Sequence, residues 1–123
     1  MQISGIGTDI AEISRLTAAL ERGGRDFCQL VFTPAEIDRA EQFRKKAAYF
    51  ACCWAAKEAF AKALGCGIGE CCRLSEVEVT VFPAAITLSG AALATFERNG
   101  GTKIHLAVAA ERRYAVATVI ICS

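Results

Sequence analysis

The sequence predicts an α+β fold, a compact single domain over residues 1–123 in which a small, mainly antiparallel sheet packs on helices. Strand-like segments lie near both ends of the chain and helical segments lie between them, which is the element order of a mixed fold. The chain has 123 residues, of which 54% are hydrophobic and 22% are charged. This composition is typical of a folded protein with one core rather than of a disordered one.

The first half of the chain predicts one strand followed by three helices. Residues 2–10 alternate loosely and predict a strand that turns near Asp9, and apolar residues at helical spacing predict a helix that stops at Gly23-Gly24. Thr33 and Glu36 can form a capping box around Pro34, so a second helix is expected from there to about residue 42. The Ala-rich stretch 47–64 contains no Gly or Pro and predicts the longest helix.

The second half of the chain predicts the remaining strands. Residues 76–81 alternate cleanly and predict a strand with one exposed face, and residues 86–88 can continue the same sheet. Residues 90–98 predict a helix that ends at the following Asn-Gly-Gly. Strands over 104–108 and 115–121 are joined by a predicted hairpin turn. The terminal strands can pair with each other or with the middle strand, and the sequence does not choose between these pairings.

Charge and composition restrict the partners and the compartment. The net charge of +1 gives no reason to expect nucleic acid or a membrane surface as a partner, and no apolar run is long enough to cross a bilayer. The N-terminal residues lack the pattern of a signal peptide, so a cytoplasmic location is expected. In that reducing compartment a disulfide is improbable, and the seven cysteines are expected to be free thiols.

The long helix carries charged residues that allow two interpretations. Glu58 and Lys62 are four positions apart and share one helix face with Trp54, while Lys57 flanks this stripe. The simpler interpretation is a solvated Glu–Lys pair, which spacing alone favours. The functional interpretation is that these charges meet a metal ion or a phosphate, because burying them in an Ala-rich helix is otherwise costly.

Asp9 is a second candidate ligand. It follows Gly5 and Gly7, which allow a close backbone approach, and it lies among apolar neighbours at the end of a strand. Asp9 can simply cap the following helix. It can also join Glu58 in binding Mg²⁺, which often takes one or two protein carboxylates and completes its shell with water and substrate phosphates.

Several motifs together resemble the holo-acyl-carrier-protein synthase group of phosphopantetheinyl transferases. They occur in the order and at the spacing of that family over nearly the whole chain. The matching segments are Gly5-x-Gly7-x-Asp9-Ile10, Phe32-Thr33-x-x-Glu36, Trp54-x-x-Lys57-Glu58-Ala59-x-x-Lys62, Gly65-x-Gly67 and the final strand Tyr114-Ala115-Val116-Ala117. The resemblance implies transfer of 4′-phosphopantetheine from coenzyme A to a serine of an apo acyl carrier protein, with release of 3′,5′-ADP. It also implies a homotrimer with active sites between subunits.

The resemblance also implies roles for individual residues. Asp9 and Glu58 would bind Mg²⁺, and Lys62 would bind phosphate and take part in catalysis. The serine proton would pass either to Glu58 or to a water on the metal. Apart from the resemblance, the charges of Lys57 and of the basic cluster Arg44-Lys45-Lys46 suggest contact with the phosphates of coenzyme A, and Gly65 and Gly67 allow a loop to fold over this ligand. Arg15, Arg22 and Arg25 would dock the acidic helix of the carrier protein, although spacing alone favours an ordinary solvated basic face.

The chain also departs from the family pattern. The family usually has arginine at Cys53, threonine or serine at Cys66, a Gly-Lys-Pro turn between the middle strands, and a Ser-x-Ser/Thr-His run where this chain has Leu106-Ala107-Val108-Ala109-Ala110-Glu111. If Cys53 and Cys66 lie at the coenzyme A rim, one of them is expected to react with a thiol reagent; otherwise both are packing residues. The lost polar groups keep two alternatives open. One is a weak or inactive relative acting as a trimeric binding protein, and the other is a different magnesium-dependent nucleotide-binding enzyme.

Overall fold

The structure is a computed structural model that describes residues 1–123. It contains five strands, four helices and one short 3-10 turn. In chain order these are β1 Ile3–Glu12, α1 Ile13–Val31, α2 Pro34–Ala40, α3 Lys46–Leu64, the 3-10 turn Leu74–Glu76, β2 Val77–Thr80, β3 Ala85–Leu88, α4 Gly90–Arg98, β4 Lys103–Ala110 and β5 Tyr114–Cys122. The predicted α+β class is confirmed.

The strands form two antiparallel sheets rather than one. The larger sheet has the order β1-β5-β4, and β2 pairs with β3 in a separate hairpin. The terminal strands therefore pair with each other, and in this register Asp9 lies opposite Ala117. One core of 26 buried residues lies between the large sheet, α3 and the surrounding helices, and α3 contributes much of it through small side chains such as Ala55, Ala56 and Ala59.

The first helix differs from the sequence prediction. Gly24 adopts a non-helical conformation at φ 52°, ψ −135°, but the chain resumes a helix that continues to Val31. A positive φ costs glycine little, so Gly24 bends the chain at this point without ending the helical region. The predicted capping box of α2 is confirmed, because the Thr33 hydroxyl accepts from the Glu36 N–H and Glu36 Oε1 accepts from the Thr33 N–H.

Two glycines of β1 let this strand lie directly on α3. A Cβ atom at Gly5 would overlap the carbonyl oxygen of Ala63, and one at Gly7 would overlap that of Ala59. The close approach that glycine permits is therefore to a helix backbone. It places the end of β1 beside the exposed face of α3. No helix in this structure combines the length and apolar content needed to cross a membrane.

Candidate active site

Asp9, Glu58 and Lys62 converge where β1 runs beside the middle of α3. Lys62 Nζ lies 2.9 Å from Asp9 Oδ1 and 3.1 Å from the carbonyl oxygen of Thr8, so it donates to both. The Asp9 side chain is only 17% exposed, whereas that of Lys62 is 53% exposed. The ammonium thus lies at the surface with the Asp9 carboxylate beneath it. The hydrogen bond from Lys62 to Asp9 also raises the pKa of Lys62, so the lysine is cationic at neutral pH.

Glu58 completes this group as a half-buried carboxylate without a protein donor. It lies one helical turn before Lys62, and no side chain or backbone N–H in the chain hydrogen-bonds to it. Burial raises the pKa of Glu58, the negative charge of Asp9 raises it further, and the charge of Lys62 opposes both. Two neighbouring carboxylates, one of them unpaired, are unfavourable unless a cation joins them.

The chemistry of this donor set fits magnesium. Mg²⁺ prefers carboxylate oxygens and commonly uses one or two of them, leaving the rest of its shell to water and substrate phosphates. Asp9 and Glu58 provide such a pair, with Lys62 beside them as a separate positive charge. The chain has no cluster of three or more acidic, His or Cys ligands. The protein therefore supplies only part of the coordination shell of a metal ion at this site.

Lys57 does not lie at this site, and the prediction that it contacts coenzyme A is contradicted. Its side chain is fully buried, and its ammonium pairs with Glu36 Oε1 at 2.8 Å. The ammonium also donates to the carbonyl oxygens of Leu74 and Val77. Adjacent helix positions differ by about 100° in direction, so Lys57 points into the core while Glu58 faces Asp9. The sequence pattern indicated Glu36 as a helix cap and as part of a motif, and no local signal pointed to its pairing with Lys57.

Two of the three predicted docking arginines line one hollow beside the site. Arg15 and Arg22 border a depression of about 540 Å³ between the end of β1 and α1, and its apolar wall includes Leu16, Phe27 and Trp54. Phe27 and Trp54 stack with ring centroids 6.4 Å apart. Arg25, which directly follows the bend at Gly24, is not part of this lining. The hollow also includes residues 10–12, which directly follow Asp9.

The basic cluster occupies a different place. Arg44 and Lys45 border a second hollow of about 350 Å³, together with the aromatic side chains of Phe43, Tyr49 and Phe82 and the end of β4. Lys46 is engaged elsewhere, with its Nζ 2.8 Å from Glu41 Oε2 on the surface. None of the residues at the magnesium candidate lines this second hollow, so a single chain does not join the two into one pocket.

The loop glycines lie just beyond the end of α3. Gly65 is in the left-handed region at φ 90° and caps α3, with its N–H bonded to the carbonyls of Ala61 and Lys62. Gly67 is also left-handed, at φ 68°, and its N–H bonds to the Ala61 carbonyl. Both glycines thus attach the loop to the last turn of the helix that carries Lys62.

Comparison with known proteins identifies the family. Residues 5–119 match the family model for the 4′-phosphopantetheinyl transferase superfamily. The chain belongs to this superfamily. A protein from Shewanella amazonensis named holo-[acyl-carrier-protein] synthase is 42% identical, with 99% of this chain and 100% of the relative covered. A synthase of the same name from Aliivibrio salmonicida is 40% identical, with 98% of each chain covered. The resemblance drawn from the motifs is confirmed.

Solved structures of the superfamily share the fold. The crystal structure of holo-[acyl-carrier-protein] synthase from Neisseria meningitidis superposes with a TM-score of 0.91 at 29% identity, covering 99% of this chain and all of the other. The Helicobacter pylori synthase in complex with coenzyme A superposes with a TM-score of 0.83 at 26% identity, covering 95% of this chain and 99% of the other.

Neither Cys53 nor Cys66 is an accessible free thiol in this structure. Cys53 is fully buried, and burial raises the pKa of its thiol to about 12. Cys66 forms a disulfide with Cys71, which contradicts the expectation that all seven cysteines are free. The glycine-rich loop after α3 makes this possible, because it folds back and brings the two Cα atoms within 6.7 Å. The other five cysteines are free.

Proposed function

We propose that this protein transfers the 4′-phosphopantetheine group from coenzyme A to a serine of an apo acyl carrier protein and releases 3′,5′-ADP. The convergence of Asp9, Glu58 and Lys62 at the surface between β1 and α3 carries the proposal. The names of the relatives and the coenzyme A bound to a structural neighbour support the same reaction for this chain.

The reaction is a displacement at phosphorus. The serine oxygen of the carrier attacks the phosphorus that bears the pantetheine arm. A new P–O bond forms while the bond to the 3′,5′-ADP oxygen breaks, and that oxygen leaves with the electron pair. The serine proton passes to a base, for which Glu58 is the candidate among the residues of this chain. Such transfers depend mainly on positioning and on electrostatic stabilisation rather than on covalent catalysis.

Asp9 and Glu58 are the proposed magnesium ligands. When bound, magnesium would neutralise the oxygens of the pyrophosphate and so favour attack on the phosphorus. Lys62 has a separate role, because its exposed ammonium can neutralise the negative charge that develops on the departing ADP. The hydrogen bonds to Asp9 and to the Thr8 carbonyl keep the ammonium in place before the substrate arrives.

The carrier protein and the nucleotide end of coenzyme A are assigned to the two hollows. Arg15 and Arg22 would pair with an acidic carrier helix whose apolar side chains contact Phe27 and Trp54. Arg25 would extend this basic surface. Arg44 and Lys45 would bind phosphates beside an aromatic wall, with Lys46 at the rim. Gly65 and Gly67 would let the loop after α3 approach the cofactor.

A homotrimer with shared active sites fits the exposed face of the large sheet. Ile6 and Ile10 of β1 are each 63% exposed, and Val116 of β5, which pairs with Ile10, is 45% exposed. Large apolar side chains on an open sheet face are typical of an interface. Subunit contact would also explain why one chain leaves the magnesium candidate and the basic hollow apart. A cytoplasmic location stays a prediction.

Intact-mass analysis tests the function directly. The protein is incubated with coenzyme A, Mg²⁺ and an apo carrier protein, and the expected result is a carrier heavier by one phosphopantetheine group. A carrier whose acceptor serine is replaced by alanine is the control and should stay unmodified. Binding of coenzyme A without any mass gain would refute transfer and favour the inactive, assembly-protein alternative.

A further inference from the structure

The interior of the protein contains one fully buried ion pair, which lies directly behind the candidate active site. The side chains of Lys57 and Glu36 are both 0% exposed, and their charged atoms lie 2.8 Å apart. Lys57 Nζ donates to Glu36 Oε1 and to the carbonyl oxygens of Leu74 and Val77. An ammonium group has three donors, so its hydrogen-bonding capacity is fully used.

Both oxygens of the Glu36 carboxylate also have hydrogen-bond donors. Oε1 accepts from the Thr33 N–H at 2.9 Å, and Oε2 accepts from the Val79 N–H at 2.6 Å. The pair therefore connects α2 through Glu36, α3 through Lys57, the 3-10 turn through Leu74 and β2 through Val77 and Val79. Residues from three stretches of the chain, around positions 36, 57 and 74–79, thus meet at one charged contact.

This contact restricts the rotation of α3 about its own axis. Lys57 immediately precedes Glu58, and Lys62 lies four residues beyond Glu58, so a turn of the helix would move both side chains away from Asp9. On the β1 side, the Ala59 and Ala63 carbonyls lie against Gly7 and Gly5 and set the distance between helix and strand. The glycines fix how near the helix lies, and Lys57 fixes which way it faces.

Stability alone gives no reason for a charged pair here. Burying two charges costs about as much as their attraction returns, and well-packed apolar residues are often as stable or more stable at such positions. A pair with three defined acceptors does select one orientation, which an apolar side chain would not do. Lys57 also makes no direct contact with Asp9 or Lys62, so its effect on the site acts through the backbone of α3.

We propose that Lys57 and Glu36 are positioning residues that hold α3 in the orientation that directs Glu58 and Lys62 toward Asp9. This inference rests on the proposed function. It gives a role to the Phe32-Thr33-x-x-Glu36 motif and to Lys57, neither of which touches the reacting groups. It predicts that loss of the pair impairs metal binding and turnover even in a protein that remains folded.

The test replaces both charges together, because removing one would leave the other buried without a partner. The variant Glu36→Leu/Lys57→Met is compared with the wild type at a temperature well below both unfolding midpoints. Mn²⁺ binding followed by electron paramagnetic resonance is the primary measurement, since it does not require activity. We expect the affinity for Mn²⁺ and kcat each to fall about 10- to 100-fold, the usual effect of losing outer-shell support. The KM for the carrier should change little.

A matched control removes another pair between the same elements. Arg39 of α2 and Glu78 of β2 lie 3.6 Å apart and are partly exposed. Neither residue hydrogen-bonds to Lys57 or Glu36, although Arg39 lies beside Tyr49 of α3 and Glu78 accepts from the Thr33 hydroxyl. The variant Arg39→Met/Glu78→Gln should lower the unfolding midpoint without changing Mn²⁺ affinity or kcat. Equal losses of Mn²⁺ affinity in both double variants would overturn the proposal, because general loosening would then explain them.

The proposal would also be overturned if Glu36→Leu/Lys57→Met kept the Mn²⁺ affinity and the kcat of the wild type. If that variant does not fold, Glu36→Gln, which keeps the side-chain size, is measured in the same way, and wild-type constants there count against the proposal. If the wild-type protein binds Mn²⁺ but transfers nothing, the proposed function fails while the Mn²⁺ comparison still tests the positioning role.

Discussion

Lys62 Nζ lies 2.9 Å from Asp9 Oδ1, although the two residues are 53 positions apart in the sequence. This contact joins the end of β1 to the exposed face of α3 and defines the candidate active site. It exists because Gly5 and Gly7 let the strand lie against the helix backbone.

Removing either proposed metal ligand should abolish transfer without unfolding the protein. Asp9→Ala or Glu58→Ala deletes one of the two carboxylates that the chain offers to Mg²⁺. We expect loss of phosphopantetheine transfer by intact mass and loss of Mn²⁺ binding, with an unchanged circular dichroism spectrum. Glu70→Gln, an exposed carboxylate in the loop after α3, serves as the control. Near-normal turnover of both alanine variants in magnesium buffer would refute the site.

Reversing two arginines should weaken docking of the carrier selectively. In Arg15→Glu/Arg22→Glu the KM for the carrier should rise far more than that for coenzyme A, and kcat should stay near the wild-type value. The wild-type KM should rise with added salt, and the variant should show a flatter dependence. Arg98→Glu/Lys103→Glu, at the other end of the sheet, is the control. Unchanged carrier kinetics at low salt would exclude α1 as the docking surface.

A charge on the exposed sheet face should prevent assembly. Ile6→Asp would place a carboxylate within the proposed subunit interface, where burying it without a partner is costly. Light scattering should report a trimer for the wild type and a monomer for this variant, with transfer activity lost together with assembly. Leu30→Asp alters an apolar residue of α1 that is 76% exposed and should leave the trimer intact. A wild-type monomer at micromolar concentration would contradict the trimer.

Adding one methyl group to β1 should separate the strand from α3. In Gly7→Ala the new Cβ would overlap the Ala59 carbonyl oxygen, so the backbone has to move. We expect destabilisation of about 1–3 kcal/mol, as in other overpacked cores, and a lower kcat because Asp9 shifts. Gly69→Ala is the matched control, since no atom lies within 4 Å of its Cβ, and its effect should stay within about 0.5 kcal/mol. Urea denaturation measures both free energies of unfolding.

Glu76 should make stability depend on pH in the acid range. Burial opposes ionisation, but hydrogen bonds from the N–H groups of Arg73, Ala91 and Ala92 outweigh it and lower the pKa of Glu76. A carboxyl whose pKa is lower in the folded state stabilises the protein above its unfolded pKa and loses this effect as pH falls through the folded value. Glu76→Gln keeps a side-chain oxygen but loses the charge at the start of α4, so it should cost roughly 0.3–1 kcal/mol at neutral pH.

The difference between wild type and Glu76→Gln should shrink as the pH falls below about 4, because the wild-type carboxyl then becomes protonated. Thermal unfolding across the acid range measures this convergence. Glu97→Gln, an exposed position on the same helix α4, should show no comparable dependence. A constant difference between wild type and Glu76→Gln down to strongly acid pH would show that the carboxylate charge is not what stabilises α4.

The sequence by itself determined most of the local structure and the family. Hydrophobic periodicity, the capping box and the helix-ending glycines depend on neighbouring residues, so they predict elements such as α3 closely. The same local signals misjudged Gly24, because a bend permitted by one glycine does not show whether the helix resumes after it. Residue types and spacing already suggested Asp9, Glu58 and Lys62 as a possible metal and phosphate site, and the ordered motifs favoured this interpretation over the simpler ones.

Only the tertiary structure decided which side chains meet. Lys57 and Glu58 are adjacent in the sequence, and both are candidate site residues there. In the structure, the orientation of α3 directs Lys57 into the core toward Glu36 and Glu58 toward Asp9. Likewise, Cys53 became a buried thiol and Cys66 part of a disulfide. Such outcomes depend on contacts between residues far apart in the chain. The direction of a side chain is set by the packing of its whole element, which no short stretch of sequence encodes.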